Sequence, residues 1–214
     1  SGLYVSWQGY DTTGQPSWLY GLLTPGEINT YSGQWYRATG WPLASGVATP
    51  ILQQAQGAVS LEFMSPEFLN LNWDLMDHQI TGGPDHGGRT YGKVYANNSA
   101  DSRGLTGWWW DPQLPGMGVY VETSSDTLNV FWDYYDANGA PYWLMLTSPK
   151  GGFTSTDSAY TGQMQEYSGG GVFGGEYVPY SLQDAGEATF TVVDTNTLTL
   201  QHNGATYTLH RFTL

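Results

Sequence analysis

Glu122 and Asp133 interrupt two apolar stretches, GVYVET and NVFWDYY, and a pair of carboxyls is what cleavage of a glycosidic bond requires. Retaining enzymes hold the two groups about 5–5.5 Å apart and inverting enzymes about 6.5–9.5 Å apart. If ETSSDT turns near residues 124–126, Glu122 faces roughly Thr127 and Asp133 lies six residues farther along. At about 3.3 Å per residue the separation is roughly 20 Å, so the pair fails on distance. Glu62, in the strand-like SLEF, is a further acid without a partner that the sequence can place. Glu62 and Glu122 are therefore weak catalytic candidates. Two of the four histidines, His78 and His86, fall in MDHQITGGPDHGG as two Asp-His dipeptides. Imidazole beside carboxylate can ligate a metal, which makes His78, Asp85 and His86 weak metal candidates. With no third histidine near them, a solvated loop is the simpler reading. His202 and His210 alternate on a hairpin and read as surface partners for hydroxyls or acids. The chain has no G-x-S-x-G elbow, H-E-x-x-H helix or phosphate-cradling glycine loop. Nothing in it calls for a cofactor.

What the chain has in excess is flat rings: 10 Trp, 16 Tyr and 7 Phe in 214 residues. Full burial of an indole requires a partner for its N–H, a demand that ten tryptophans make hard to meet. A strand points successive side chains to opposite faces, so in GWWWDPQLPGMGVYVE the ring of Trp109 opposes those of Trp108 and Trp110. Trp109 is the better candidate for contact and its two neighbours for the core, although alternation alone allows the reverse. The same argument splits Phe131 and Tyr135 from Val130, Trp132 and Tyr134. Exposed rings beside acids and amides are suited to sugars, whose C–H faces lie on the ring while amides and carboxylates take the hydroxyls. The candidate ligand-binding residues are Trp18, Trp109, Trp110, Tyr120, Tyr135, Tyr142 and Trp143.

The bulk composition limits the partners. Nineteen acids oppose six scattered bases, for a formal net charge of −13. Nucleic acid backbones and anionic membrane surfaces would be repelled, and polyanionic glycans likewise. There is no cysteine, so disulfides and thiolate-bound zinc are unavailable. The first residues, SGLYVSWQGY, lack the basic and apolar regions of a signal peptide, and no apolar run approaches the roughly 18 residues of a membrane helix.

The elements that position these side chains repeat. QGYDTTGQPSWL at 8–19 faces DYYDANGAPYWL at 133–144, an offset of 125. From YSGQ at 31–34 against YTGQ at 160–163 the offset becomes 129, and it carries through Gly57 against Gly186 to Leu69 and Leu71 against Leu198 and Leu200. One unit of about a hundred residues thus occurs twice. Residues 1–81 form unit A, 82–106 a Gly/Asn/Ser-rich linker, and 107–214 unit B. Unit A begins near the equivalent of Leu128 and so lacks a counterpart of GWWWDPQLPGMGVYVETSSD. Its open edge must be covered by something else, either the RTYGKVYA segment of the linker, with Tyr91, Lys93 and Tyr95 on one side, or a second chain.

Period-two alternation dominates both units, and PILQQAQG at 50–57 is the only short helical candidate. His202-Asn203-Gly204-Ala205 places Asn-Gly between two alternating runs, a strong hairpin signal. In YDTTGQP and YDANGAP, Asp11 and Asp136 are turn residues that accept backbone N–H groups, with Gly14 and Gly139 in the left-handed region. The expected fold is all-β, a tandem repeat of antiparallel up-and-down barrel or sandwich units, with the barrel favoured.

GWWWDPQLPGMGVYVE followed by NVFWDYYDANGAPYWLM resembles an uncharacterised β-domain of many secreted proteobacterial proteins. Its signature is Trp-Trp-Asn-Pro, a Ser-Gly-x-Gly bend, then Tyr-Asp-x-x-Gly-x-Pro-x-Trp and a later Gly-x-Leu-Tyr. The likeness spans nearly all of unit B and residues 3 to about 80 of unit A. Asp111 stands for the usual asparagine, Pro115 for the serine, and the last segment reads GQMQ in unit B and GQWY in unit A. The resemblance implies a β-domain that is secreted or on the bacterial cell surface, and it carries no catalytic residue across. The sequence therefore points to a non-catalytic module for a neutral carbohydrate or similar surface ligand. A polysaccharide-acting enzyme is one alternative, and a structural or adhesive module pairing as a homodimer through the open edge of unit A is another.

Overall fold

The structure, a computed structural model, describes residues 2–40, 51–76, 86–92 and 103–213. Every regular element among them is a strand. Unit A contributes β1 (Leu3–Tyr10), β2 (Pro16–Pro25), β3 (Thr30–Thr39), β4 (Leu52–Phe63), β5 (Phe68–Leu75) and β6 (His86–Gly92). Unit B contributes β7 (Gly107–Trp110), β8 (Gly118–Thr123), β9 (Leu128–Tyr135), β10 (Pro141–Thr147), β11 (Ala159–Ser168), β12 (Ser181–Val192), β13 (Thr197–His202) and β14 (Ala205–Arg211). Within each sheet, strands that are neighbours in sequence pair antiparallel. β7–β14 close into an eight-stranded up-and-down barrel, whereas β1–β6 form an open six-stranded sheet. The helical candidate at 50–57 is strand from Leu52 onward, paired along the length of β3. The helix preference of Gln and Ala is worth only tenths of a kcal/mol per residue, and a continuous ladder outweighs it.

The turn chemistry acts as its residues require. Asn203 and Gly204 have φ of 48° and 80° at the β13–β14 hairpin, the doubly positive pair of a type I′ turn. Asp136 Oδ1 accepts from the backbone N–H of Asn138 and Ala140, both at 2.8 Å. Asp11 does the same for Thr13 and Gln15, and Gly14 and Gly139 share a φ of 78°. The repeat extends to irregularities: β3–β4 shifts register between Trp35 and Tyr36, and β11–β12 shifts between the corresponding Gln163 and Gln165. Gly57 and Gly186, both at positive φ, lie at these bulges on β4 and β12.

β7 and β8 are what unit A lacks. In unit B they close the barrel, β14 pairing with β7 through His210–Trp110 and Arg211–Trp109. The barrel interior is filled by Trp109, Val119, Val121, Val130, Trp132, Leu144, Leu146, Met164, Phe190, Leu198 and Leu200. Trp109 is fully buried, so the three tryptophans are disposed opposite to the expected order: Trp109 is core, and Trp108 and Trp110 are half-buried on the outer face. The reason is a buried partner for its indole N–H, which donates to Leu105 O at 2.9 Å. The Arg211 guanidinium covers the same ring, 4.2 Å from its centroid.

Unit A is completed from two other sources. β6, within the segment 82–106, pairs along β5 from Phe68–Gly92 to Asp74–His86, as β14 pairs along β13, and so lies at the end of the sheet away from the β1 edge that the absent strands leave. Lys93 and Tyr95 lie outside the described residues. The core of the open sheet, with Leu19, Leu23, Trp35, Val59, Leu71 and Trp73, is completed by Phe173 of unit B. Phe173 leaves the β11–β12 loop and meets Trp7, Trp35 and Trp73 edge-on, at 5.0, 5.8 and 5.0 Å between ring centroids. Arg89 of β6 donates to the carbonyls of Gly174 and Gly175 and holds that loop in place.

Candidate functional site

The two units pack through the outer faces of equivalent strands, and the contacts are reciprocal. Trp18 Nε1 donates to Tyr134 O at 3.1 Å, and its repeat equivalent Trp143 donates to Gly9 O, the equivalent carbonyl, at 2.9 Å. Gly40 N donates to Gly139 O and Gly169 N to Gly14 O. Such self-complementary exchange is the signature of a two-fold axis, here between halves of one chain. Trp18, Tyr135 and Trp143 are only 3%, 2% and 6% exposed and form one cluster with Tyr10 and Ala38. These three candidate contact residues thus face the other unit. The sequence correctly excludes one common interior for all the rings, and the second interior is the seam between the units.

Asp133 sits on that seam. Its repeat equivalent is Gln8, and the two meet across the axis, with Gln8 Nε2 at 3.3 and 3.1 Å from the carboxylate oxygens. Asp133 as a residue is 3% exposed. Burial pushes it up to about 8, against the smaller opposing effect of the Gln8 hydrogen bond, because a charge removed from water is costly unless paired. Tyr4 is likewise held protonated well above its ordinary range, first by burial and then by Asp133, Tyr20 and Tyr135.

Two hollows flank Tyr4 and Trp108, whose rings meet edge-on at 5.0 Å. The first is an open groove of about 330 Å³ between β1 and the outer wall of the barrel, lined by Tyr4, Ser6, Gln8, Trp108, Tyr120, Glu122 and Phe131. Trp108, Tyr120 and Phe131 are direct cross-strand partners on β7, β8 and β9. Their successive centroids lie 5.4 and 6.2 Å apart, so a row of rings runs across the outer wall. They share this face because Trp109, Val119, Val130 and Trp132 take the inner one. The second hollow is a cavity of about 230 Å³ lined by Tyr4, Trp18, Tyr20, Trp108, Trp110, Phe212 and the Asp133 carboxyl, with Trp109 also reaching it.

The other candidates are dispersed. Tyr142 is half-buried against Tyr134, away from both hollows. Glu62 is exposed on β4, where Asn70 Nδ2 approaches it at 3.5 Å. Glu122 pairs with Asn129 rather than standing near Thr127, and Asp133 pairs with Gly118. The four-residue interval between those pairs is about 13 Å, less than the roughly 20 Å expected but still too long for a hydrolytic carboxyl pair. His78 and Asp85 lie outside the described residues, and His86 is exposed opposite Asp74. His202 is buried rather than superficial: its Nε2 lies 2.9 Å from Ala185 O and its ring meets Trp132 edge-on. No group of three metal-ligating side chains occurs among the described residues. Sequence reasoning missed Tyr4, Ser6, Gln8, Tyr20, Phe131 and Phe212 as lining residues, and it placed Trp108 in the core. Gln8 and Asp133 occupy equivalent repeat positions, and that correspondence was the signal for their pairing. In comparisons with known proteins, no family model matches the chain, and neither does any curated protein or solved structure.

Proposed function

We propose that the chain is a non-catalytic, secreted or cell-surface module that binds a neutral carbohydrate in the groove between β1 and the barrel wall. The observation that carries this reading is the row Trp108–Tyr120–Phe131 beside Ser6, Gln8 and Glu122. The rings offer flat apolar surface to sugar C–H groups, and the hydroxyl, amide and carboxylate offer donors and acceptors to its hydroxyls. At about 330 Å³ the groove lies in the usual range for small-molecule sites, roughly 300–1,000 Å³, enough for a short stretch of a glycan chain. The net charge of −13 favours an uncharged glycan over an anionic one. Titration with a panel of neutral oligosaccharides, followed by calorimetry and tryptophan fluorescence, tests the reading. Saturable binding should weaken about tenfold or more, at least 1.4 kcal/mol, in Tyr120→Ala and in Glu122→Gln. A flat response to every glycan would remove it.

A second reading has one observation of its own. Among the described residues β6 is exposed along its length and pairs only with β5, and an open strand edge can accept another strand. A homodimer joined through β6 would give the structural or adhesive module. Light scattering over a range of protein concentrations distinguishes it from a monomeric binding module.

A further inference from the structure

The cavity on the far side of the Tyr4–Trp108 pair has a different chemistry from the groove. Its lining includes the rings of Tyr4, Trp18, Tyr20, Trp108, Trp110 and Phe212 and one acid, Asp133, with Ile51, Gln53 and Met117 completing the wall. Several meet edge-on, Tyr4 with Trp108 and with Phe212, and Trp110 with Phe212, with interplanar angles of 71°, 63° and 88°. Rings set edge to face turn their π surfaces in different directions and so make walls rather than a stack. Among the described residues the carboxyl has the Gln8 amide as its hydrogen-bond partner, and no cation acts on it. Two phenol oxygens nearby, Tyr20 Oη and Tyr135 Oη, are buried without a hydrogen-bond partner among the described residues. A side chain on Gly116, which lines the cavity, would come within 2.8 Å of the Tyr135 oxygen. A desolvated carboxyl without a counter-charge is costly to keep.

We propose that this cavity is a binding site for an organic ammonium cation, an alkylated amine about the size of tetramethylammonium or choline, held by the Asp133 carboxylate and the ring walls. Aromatic faces attract a weakly hydrated cation through the ring quadrupole, with the largest effect where water is excluded. The carboxylate supplies the counter-charge, and the phenol oxygens offer further negative dipole ends. A hard metal ion is a poor occupant, because it demands six or more oxygen ligands and this cavity offers one carboxylate among rings. An anion would meet the field of a strongly acidic chain. The cavity, at about 230 Å³, is small and suits a compact head group.

The occupant and the proton compete for Asp133, so affinity rises with pH. The titratable groups facing the carboxyl are Tyr4 on β1, Tyr20 on β2 and Tyr135 on β9, and burial keeps all three protonated above the range in which Asp133 ionises. Glu122 on β8 lies in the adjoining groove. The experiment titrates the protein with tetramethylammonium and choline chlorides at constant ionic strength, by calorimetry and tryptophan fluorescence, at pH 6 and pH 9. 3,3-Dimethylbutan-1-ol serves as the uncharged isostere of choline. The expected result is saturable binding of the ammonium ions, about a hundredfold tighter at pH 9 than at pH 6 and about tenfold weaker for the alcohol. Asp133→Asn, checked for a native circular dichroism spectrum, should lose the ammonium response and its pH dependence while leaving glycan binding in the groove in place. Absence of saturable binding in the wild type overturns the proposal. So does equal affinity for the alcohol, or an affinity that does not change with pH, and neither of these readouts depends on the variant folding.

Discussion

Units A and B run the same six strands in the same order, with the same aspartate-headed turns and the same bulge, yet they complete themselves by different means. Unit B closes with two further strands, which bring the ring of Trp109 inside and give its N–H a carbonyl. Unit A has an open sheet whose core is closed by a phenylalanine from its neighbour, and the buried Trp35 Nε1 in that core has no hydrogen-bond partner among the described residues. The barrel has its interior to itself, whereas unit A depends on unit B for part of its own. An asymmetric pair that began from one repeat therefore shares a seam, and the seam is where Asp133, Gln8 and both hollows lie. Each unit supplies one wall, so neither alone could form the site.

The sharpest way to break this comparison is Phe173→Ala. It should leave a cavity among Trp7, Trp35 and Trp73 and cost about 3–5 kcal/mol, with amides of unit A gaining hydrogen exchange before those of the barrel. Uniform exchange across both units would show that the dependence of A on B is not real.

The next largest effect concerns the seam carboxyl and its pH dependence. Asp133 holds its proton more tightly folded than unfolded, so between about pH 4 and pH 8 the folded state binds more protons and stability falls as pH rises. The loss ends above about pH 8, once both states are ionised. Asp133→Asn should flatten that limb and raise the unfolding free energy at pH 9 by an amount on the order of a few kcal/mol. An unaltered pH profile in chemical denaturation would remove Asp133 as its source.

Smaller still, Trp18→Phe and Trp143→Phe each remove one reciprocal indole donor and strand a buried carbonyl, for about 1–3 kcal/mol apiece. The two-fold relation predicts nearly equal losses, and a clear inequality by urea titration would show that the seam is symmetric in shape but not in energy. Smallest is Gly204→Ala, where no neighbouring atom obstructs a methyl and only the φ of +80° is strained. It should cost about 1–2 kcal/mol and act within the barrel alone.

Features set by neighbours along the chain were legible before any coordinates. The Asn203-Gly204 turn, the Asp11 and Asp136 turns and the alternation in NVFWDYY all depend on local backbone preference. The duplication could be read because equivalent positions keep equivalent residues. What could not be read is the sense of the three tryptophans, since alternation determines which rings oppose one another and leaves open which side is inside. Phe173 was also invisible. It lies in a glycine-rich loop without periodicity, and its role depends on a sheet more than a hundred residues earlier. The site was partly legible: Trp110 and Tyr120 line the hollows, while Trp18, Tyr135 and Trp143, expected as ligand contacts, are turned toward the other unit.

The chain by itself determined its strands, its turns and its repetition, because backbone sterics and side-chain alternation act over a few residues. Only the tertiary structure decided which rings are hidden and where a carboxyl is desolvated. Both depend on surfaces brought together from the two halves, and burial is a property of the assembled contact rather than of any residue in it.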